Sequence, residues 1–92
     1  MPTVEHHPAL GKFTAMVGGE EAYLLYHPAG DGVLDYVSTF VPEHLRGQGI
    51  ATEVVRCALD YAKAQQCRVI PSCWFVRGYI DRHPEYLDLV AN

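Results

Sequence analysis

Residues 46–62 read RGQGIATEVVRCALDYA, and this stretch decides the fold. From Ala51 onward the apolar side chains fall at Ala51, Val54, Val55, Ala58, Leu59 and Ala62, the spacing of a helix with one buried face. Glu53, Arg56, Asp60, Lys63 and Gln66 occupy the other face, so the pattern predicts a helix over Ile50–Gln66. Gly47 and Gly49 stand immediately before it. The first turn of any helix leaves backbone N–H groups without acceptors inside the helix, and the helix dipole adds partial positive charge there. Glycines let the chain wrap so that several of those groups converge, and they remove the Cβ atoms that would block an approaching anion. The junction therefore has the chemistry of an anion site, suited to a diphosphate, with Arg46 as a further donor. The same spacing also describes a plain tight turn, and that alternative stays open at this level. A third glycine is missing, so this is not a dinucleotide fingerprint, and no Gly-Lys-Ser/Thr follows, so it is not a P-loop.

Upstream, the period changes to that of strands. Lys12–Val17 ends at the turn dipeptide Gly18-Gly19, Glu21–His27 is rich in Tyr and Leu, and Pro28 with "PAGDG" marks a hairpin turn. Val33–Val41 supplies β-branched and aromatic residues and stops at Pro42. Downstream, "CRVIP" (67–71) predicts a short buried strand. "CWFVRGYIDRH" (73–83) predicts a second helix ending before Pro84, and "PEYLDLV" (84–90) a helical or extended tail. The predicted order is βββαβα. Three antiparallel strands lead, the long helix packs on one sheet face, and the strand around Val69 lies parallel to Val33–Val41 because a helical crossover joins them. The expected class is a mixed α/β (α+β type) sheet forming one compact domain over residues 1–92.

Composition narrows the function. An apolar fraction of 49% supports a packed core, and a formal charge of −4 argues against nucleic acid as a partner. No run approaches the roughly 18 apolar residues of a membrane span, and no basic-then-apolar leader opens the chain. Cys57, Cys67 and Cys73 are odd in number and lack a C-x-x-C pair, which points to a reducing, cytoplasmic setting and away from a disulfide framework or a zinc knuckle. His6, His7 and His27 lack the partner spacing of a metal site, so no metal is expected.

"VPEHLRGQGIATEVVRCALDYA" (41–62) resembles the acetyl-CoA-binding segment of the GNAT superfamily of N-acetyltransferases, whose signature is Arg/Gln-x-x-Gly-x-Gly/Ala. Arg46, Gly49 and Ala51 stand at the matching places. "CRVIPSCWFVRGYIDRHPEY" (67–86) resembles the following segment of the compact single-domain GNAT-like subgroup, and the likeness runs over about residues 33–90. It implies acetyl-CoA as cosubstrate, without a metal. The diphosphate would be held by the amides of Gly47, Gln48, Gly49, Ile50 and Ala51, with Arg46 and Thr52 beside them. The pantetheine arm would lie where Val33–Val41 and Arg68–Pro71 splay apart, paired with backbone near Phe40 and Val41. Two departures stand out. Only Gly18-Gly19 joins the strands between which the family inserts helices, and Pro42–Arg46 is one residue longer than usual. The first leaves the acceptor side open and suits a large acceptor, such as an amine on a protein, or binding without transfer.

Three residues are candidates for the chemistry. Cys73 is placed at a helix N-terminus, which favours thiolate and an acyl-cysteine route, although a buried structural thiol is the ordinary alternative. Tyr79 matches the family's helix tyrosine, a general acid for the departing CoA thiolate, against an aromatic core role shared with Trp74, Phe75 and Ile80. His44, with Glu43 beside it, is a loop base of the side-chain type suited to proton transfer at neutral pH, against a solvated loop. His83 before Pro84 fits a helix end. Glu20 and Glu21 fit a solvated edge that would also attract a cationic amine. Cys57 and Cys67 read as structural. The functional expectation is an N-acetyltransferase moving acetyl from acetyl-CoA to an amine; the alternatives are a CoA-binding module without transfer and an interaction domain whose glycine turn is only a turn.

Overall fold

A computed structural model describes residues 3–91. Five strands form one sheet in chain order: β1 Val4–His7, β2 Lys12–Val17, β3 Glu20–Pro28, β4 Val33–Phe40 and β5 Arg68–Ile70. The first four are antiparallel meander neighbours, and β5 is parallel to β4 through Val33–Arg68, Leu34–Val69 and Asp35–Ile70. That parallel step follows from the crossover helix α1, Ile50–Ala64. A second helix, α2, spans Trp74–Arg82, and a 3-10 helix over Pro84–Leu89 returns Val90 to bridge Val69.

α1 packs on the sheet face that carries Phe13, Ala15, Ala22, Leu24, Tyr26 and Tyr36, all buried. Its own inward stripe, Val54, Val55, Ala58, Leu59 and Ala62, is fully buried, as the apolar period required. The buried Tyr36 hydroxyl is not left without a partner: it donates to Ala58 O at 2.6 Å, pinning helix to sheet. The opposite sheet face, presented by Lys12, Met16, Glu21, Tyr23 and Phe40, is not covered by α1. There Lys12 Nζ lies 3.1 Å from Glu21, and the Tyr23 and Phe40 rings pair at 5.3 Å.

Three sequence-based expectations change. A strand precedes Lys12, so the order is ββββαβα. β1 went unseen because Val4 is its one apolar side chain, while His6 fills the next inward position, stacked on Phe13 at 4.1 Å. The connection after the first strand is consequently the single 3-10 turn Pro8–Leu10 rather than Gly18-Gly19; it also contains no α-helix. Trp74, read with the aromatic core, is 82% exposed. α1 also ends two residues early, because Gln66 adopts a left-handed conformation (φ +57) that lets Cys67 N–H reach Ala62 O at 2.8 Å.

His6 gives the fold a pH dependence. Its Nε2 lies 2.5 Å from the Tyr26 hydroxyl, and its ring meets Tyr61 edge-on. Burial, and secondly His7, hold its pKa below the ordinary 6.5. The unfolded chain therefore takes up this proton first. The contribution of neutral His6 is complete above pH ~6.5 and is lost as pH falls through the depressed folded value. Urea unfolding at pH 7.5 and pH 5.5 should show lower stability at pH 5.5, with a smaller pH difference in His6→Gln; an equal difference in both proteins contradicts the assignment.

Candidate functional site

The ladder between β4 and β5 stops at Asp35–Ile70. Directly beyond, the β3–β4 register slips: Leu25 faces Ser38 while Tyr26 faces Tyr36, so Val37 is the extra residue of a bulge. A bulge bends its strand and increases its twist, and this one lies immediately past the last β4–β5 pair. Past the ladder, the Cys73 N–H donates to Tyr36 O at 2.9 Å, the last backbone hydrogen bond between β4 and this segment. A cleft of about 530 Å³ opens past this point.

One wall of the cleft is the end of β4, Thr39 to Val41. The second is the glycine turn with the first turn of α1, and the third is formed by Trp74 and Phe75 at the start of α2. Gly47 and Gly49 take φ of +83 and +79, and a Cβ at either would meet open space within 4 Å. Gly49 is the N-cap of α1 and supplies no side-chain cap; the first intrahelical bond runs from Glu53 N–H to Gly49 O at 3.0 Å. The amides of Ile50, Ala51 and Thr52 precede that bond and so have no acceptor within the helix. Arg46 lines the cleft with its Nε donating to Val41 O at 2.9 Å, which fixes the entry to the turn. No carboxylate lines the cleft; Arg46 is the single charged side chain among its described walls, in a chain of net charge −4. Unpaired amides, a helix N-terminus and one guanidinium without an opposing acid make this an anion-accepting cleft.

Eight of the nine residues expected to bind the cosubstrate line this cleft: Phe40, Val41, Arg46, Gly47, Gly49, Ile50, Ala51 and Thr52. Gln48 is exposed and lies off its wall. Sequence reasoning missed Thr39, Leu45, Trp74 and Phe75 as wall residues, and only their nearness to the turn and the strand end could have flagged them.

The three chemical candidates occupy different places. Cys73 caps α2, is 7% exposed, and holds its sulfur 3.5 Å from the hydroxyl of the wall residue Thr39. Tyr79 is buried and does not line the cleft. Its ring stacks on His83 at 4.1 Å, and its charged neighbours are Arg56, Asp60 and Glu53 of α1 together with Glu85. Burial raises its phenol above the ordinary value while Arg56 pulls it back, so the proton stays on at neutral pH. His44 is on the surface, paired with Glu20 across from the β2–β3 turn, and its ring is not part of the cleft wall. Glu21 is taken by Lys12. Among the described residues no group of His, Cys, Asp or Glu is arranged to hold a metal ion, all three cysteines are free, and no helix is long and apolar enough to cross a membrane.

Comparison with known proteins agrees with this geometry. The family described as GCN5-related N-acetyl-transferase matches residues 12–89. Protein NATD1 of Homo sapiens is 33% identical over 89 residues, covering 92% of this chain and 79% of that protein. Protein NATD1 of Danio rerio is 30% identical over 93 residues, covering 97% and 84%. In fold, the chain is similar to the solution NMR structure of a GCN5-like protein from Staphylococcus aureus. That match has a TM-score of 0.76 at 18% identity, over 98% of this chain and 88% of the other.

Proposed function

The chain belongs to the GCN5-related N-acetyltransferase family, and from that premise we propose that it transfers acetyl from acetyl-CoA to an amine on a large acceptor. One observation carries the proposal: the acceptor-less amides of Ile50, Ala51 and Thr52 share one carboxylate-free cleft with the strand end that has left its neighbour. The diphosphate fits the amides and Arg46, and the pantetheine arm fits the gap as a substitute strand along Thr39–Val41. The thioester carbonyl then lies against β4. A neutral amine attacks its carbon; the N–C bond forms, the C–S bond breaks, the nitrogen loses a proton, and the CoA thiolate takes one up. In this reading His44, on the loop leading to the cleft, is the base and the protonated Tyr79 phenol is the acid. The sheet face not covered by α1, with Phe40 41% exposed at its edge, admits an extended acceptor such as a protein amine. The free thiols fit a cytoplasmic protein.

A thermal melt tests the cosubstrate. At a hundredfold excess over Kd, acetyl-CoA should stabilise the fold by about 2.7 kcal/mol, raising Tm by roughly 10 °C or more for a chain of this size. An unchanged Tm up to millimolar acetyl-CoA contradicts the proposal.

A second reading, CoA binding without transfer, draws on the same map, since neither His44 nor Tyr79 lines the cleft and Cys73 is almost enclosed. Product formation with peptide and polyamine amines separates the two. The route is separable as well. Direct transfer predicts no adduct when the protein meets acetyl-CoA alone, and retained turnover in Cys73→Ala. An acetyl mass on the Cys73 peptide, lost in Cys73→Ala together with turnover, would instead establish an acyl-cysteine.

A further inference from the structure

Trp74 is the only tryptophan in the chain and, among the described residues, the most exposed large apolar side chain, at 82%. An exposed indole leaves a large apolar area in water, at a free-energy cost. Its one aromatic neighbour is Phe75, in a T-shaped contact at 5.9 Å and 72°, which occupies at most one face of the indole. The position is specific: Trp74 is the first residue of α2, directly after the Cys73 N–H that closes the β4–β5 gap, and it lines the same cleft as the glycine turn.

Resting on the reading of this cleft as the CoA site, the geometry points to Trp74 as the residue that stacks on the purine ring of CoA. The diphosphate divides the ligand in two. Once it is held at the α1 amides, the pantetheine half must run inward to the β4–β5 gap, so the nucleotide half must leave through the mouth. Two of the cleft's aromatic rings are exposed, Phe40 at 41% and Trp74 at 82%; Phe40 stands on the strand end taken by the pantetheine half, which leaves Trp74 for the purine, and Arg46 is the one charged side chain of the described walls. Stacking needs no hydrogen-bond code, only an unobstructed π-face, and removing such an aromatic platform typically weakens base binding by about 1–3 kcal/mol, or about 5- to 150-fold. Trp74 would then act as a donor-specificity residue. It makes the nucleotide half count in affinity and disfavours donors that carry the same pantetheine arm without adenosine.

Calorimetric titration of the wild type, Trp74→Ala and Trp74→Tyr with CoA and with 4′-phosphopantetheine tests this, together with the tryptophan fluorescence of the wild type, excited on the long-wavelength edge where its tyrosines do not absorb. The expected result is fluorescence quenching by CoA, a 5- to 150-fold loss of CoA affinity in Trp74→Ala, near-wild-type affinity in Trp74→Tyr, and 4′-phosphopantetheine affinity unchanged within about twofold in both variants. Because the side chain is exposed, both variants should melt close to the wild type. Equal loss for the two ligands, or no loss for either, overturns the stacking role while wild-type CoA binding leaves the cleft assignment standing. Failure of the wild type to bind CoA at all overturns the cleft assignment, and the role of Trp74 with it.

Discussion

Gly49→Val is expected to abolish measurable acetyl-CoA binding while leaving a folded protein. At φ +79 a β-branched residue is strained by about 1–3 kcal/mol, so Tm should fall. However, an added Cβ meets no protein atom within 4 Å, so the fold has no clash to relieve. The branch instead stands in the open space beside the unpaired amides of α1. A diphosphate pushed off two such charge-assisted bonds, each worth about 1.5–3 kcal/mol, loses about 3 kcal/mol or more, at least a ~100-fold drop in affinity. Gln48→Ala is the matched control: its side chain is exposed and off the wall, so its affinity should stay close to wild type. Calorimetry and circular dichroism on the same samples separate loss of binding from loss of fold. Wild-type affinity in Gly49→Val contradicts diphosphate binding at the turn.

The same substitution at Gly11 has the opposite profile. Gly11 ends the Pro8–Leu10 turn at φ +64, and a Cβ there would lie 2.7 Å from the backbone oxygen of Tyr26. That carbonyl belongs to the middle of β3 and has little freedom to retreat, since Gly11 O also accepts the Tyr26 N–H at 2.8 Å. Left-handed strain and overpacking add to about 3 kcal/mol or more, a large share of the 5–15 kcal/mol that typically separates folded from unfolded chains. Gly11→Val should lower Tm by more than ~10 °C, or prevent folding, whereas any residual folded fraction should bind acetyl-CoA with ordinary affinity. A Tm within a few degrees of wild type contradicts this account of the β1–β2 connection.

The contrast between the two glycines shows where the sequence is transparent and where it is not. Gly49 announces itself, because it sits between a strand and a helix whose period is plain, and its role depends only on neighbours in the chain. Gly11 does not, because its constraint comes from Tyr26, fifteen positions away and on another strand. The missed β1 has the same origin: His6 faces inward, and its apolar partner Phe13 and hydroxyl partner Tyr26 are invisible to a pattern of alternating hydrophobicity. Of the wall contributed by the turn, Arg46, Gly47 and Gly49 were legible, while Leu45 was missed and Gln48 lies off it. The bulge at Val37, immediately past the last β4–β5 pair, has no glycine or proline to mark it. Trp74 misled in the other direction, since an aromatic among aromatics reads as core until α2 is placed at the rim of the cleft. His44 was legible as a loop histidine, but its pairing with Glu20 needed the β2–β3 turn to be brought alongside it.

In the proposed reading, backbone amides at the start of α1 hold the CoA diphosphate. The most direct measurement is a CoA titration followed amide by amide in 15N-labelled protein. The account predicts that the amide resonances of Gly47, Gly49, Ile50, Ala51 and Thr52 move together and saturate with one affinity, while those of β1 at the far edge of the sheet stay fixed. Saturable shifts elsewhere with these five amides unmoved would contradict it.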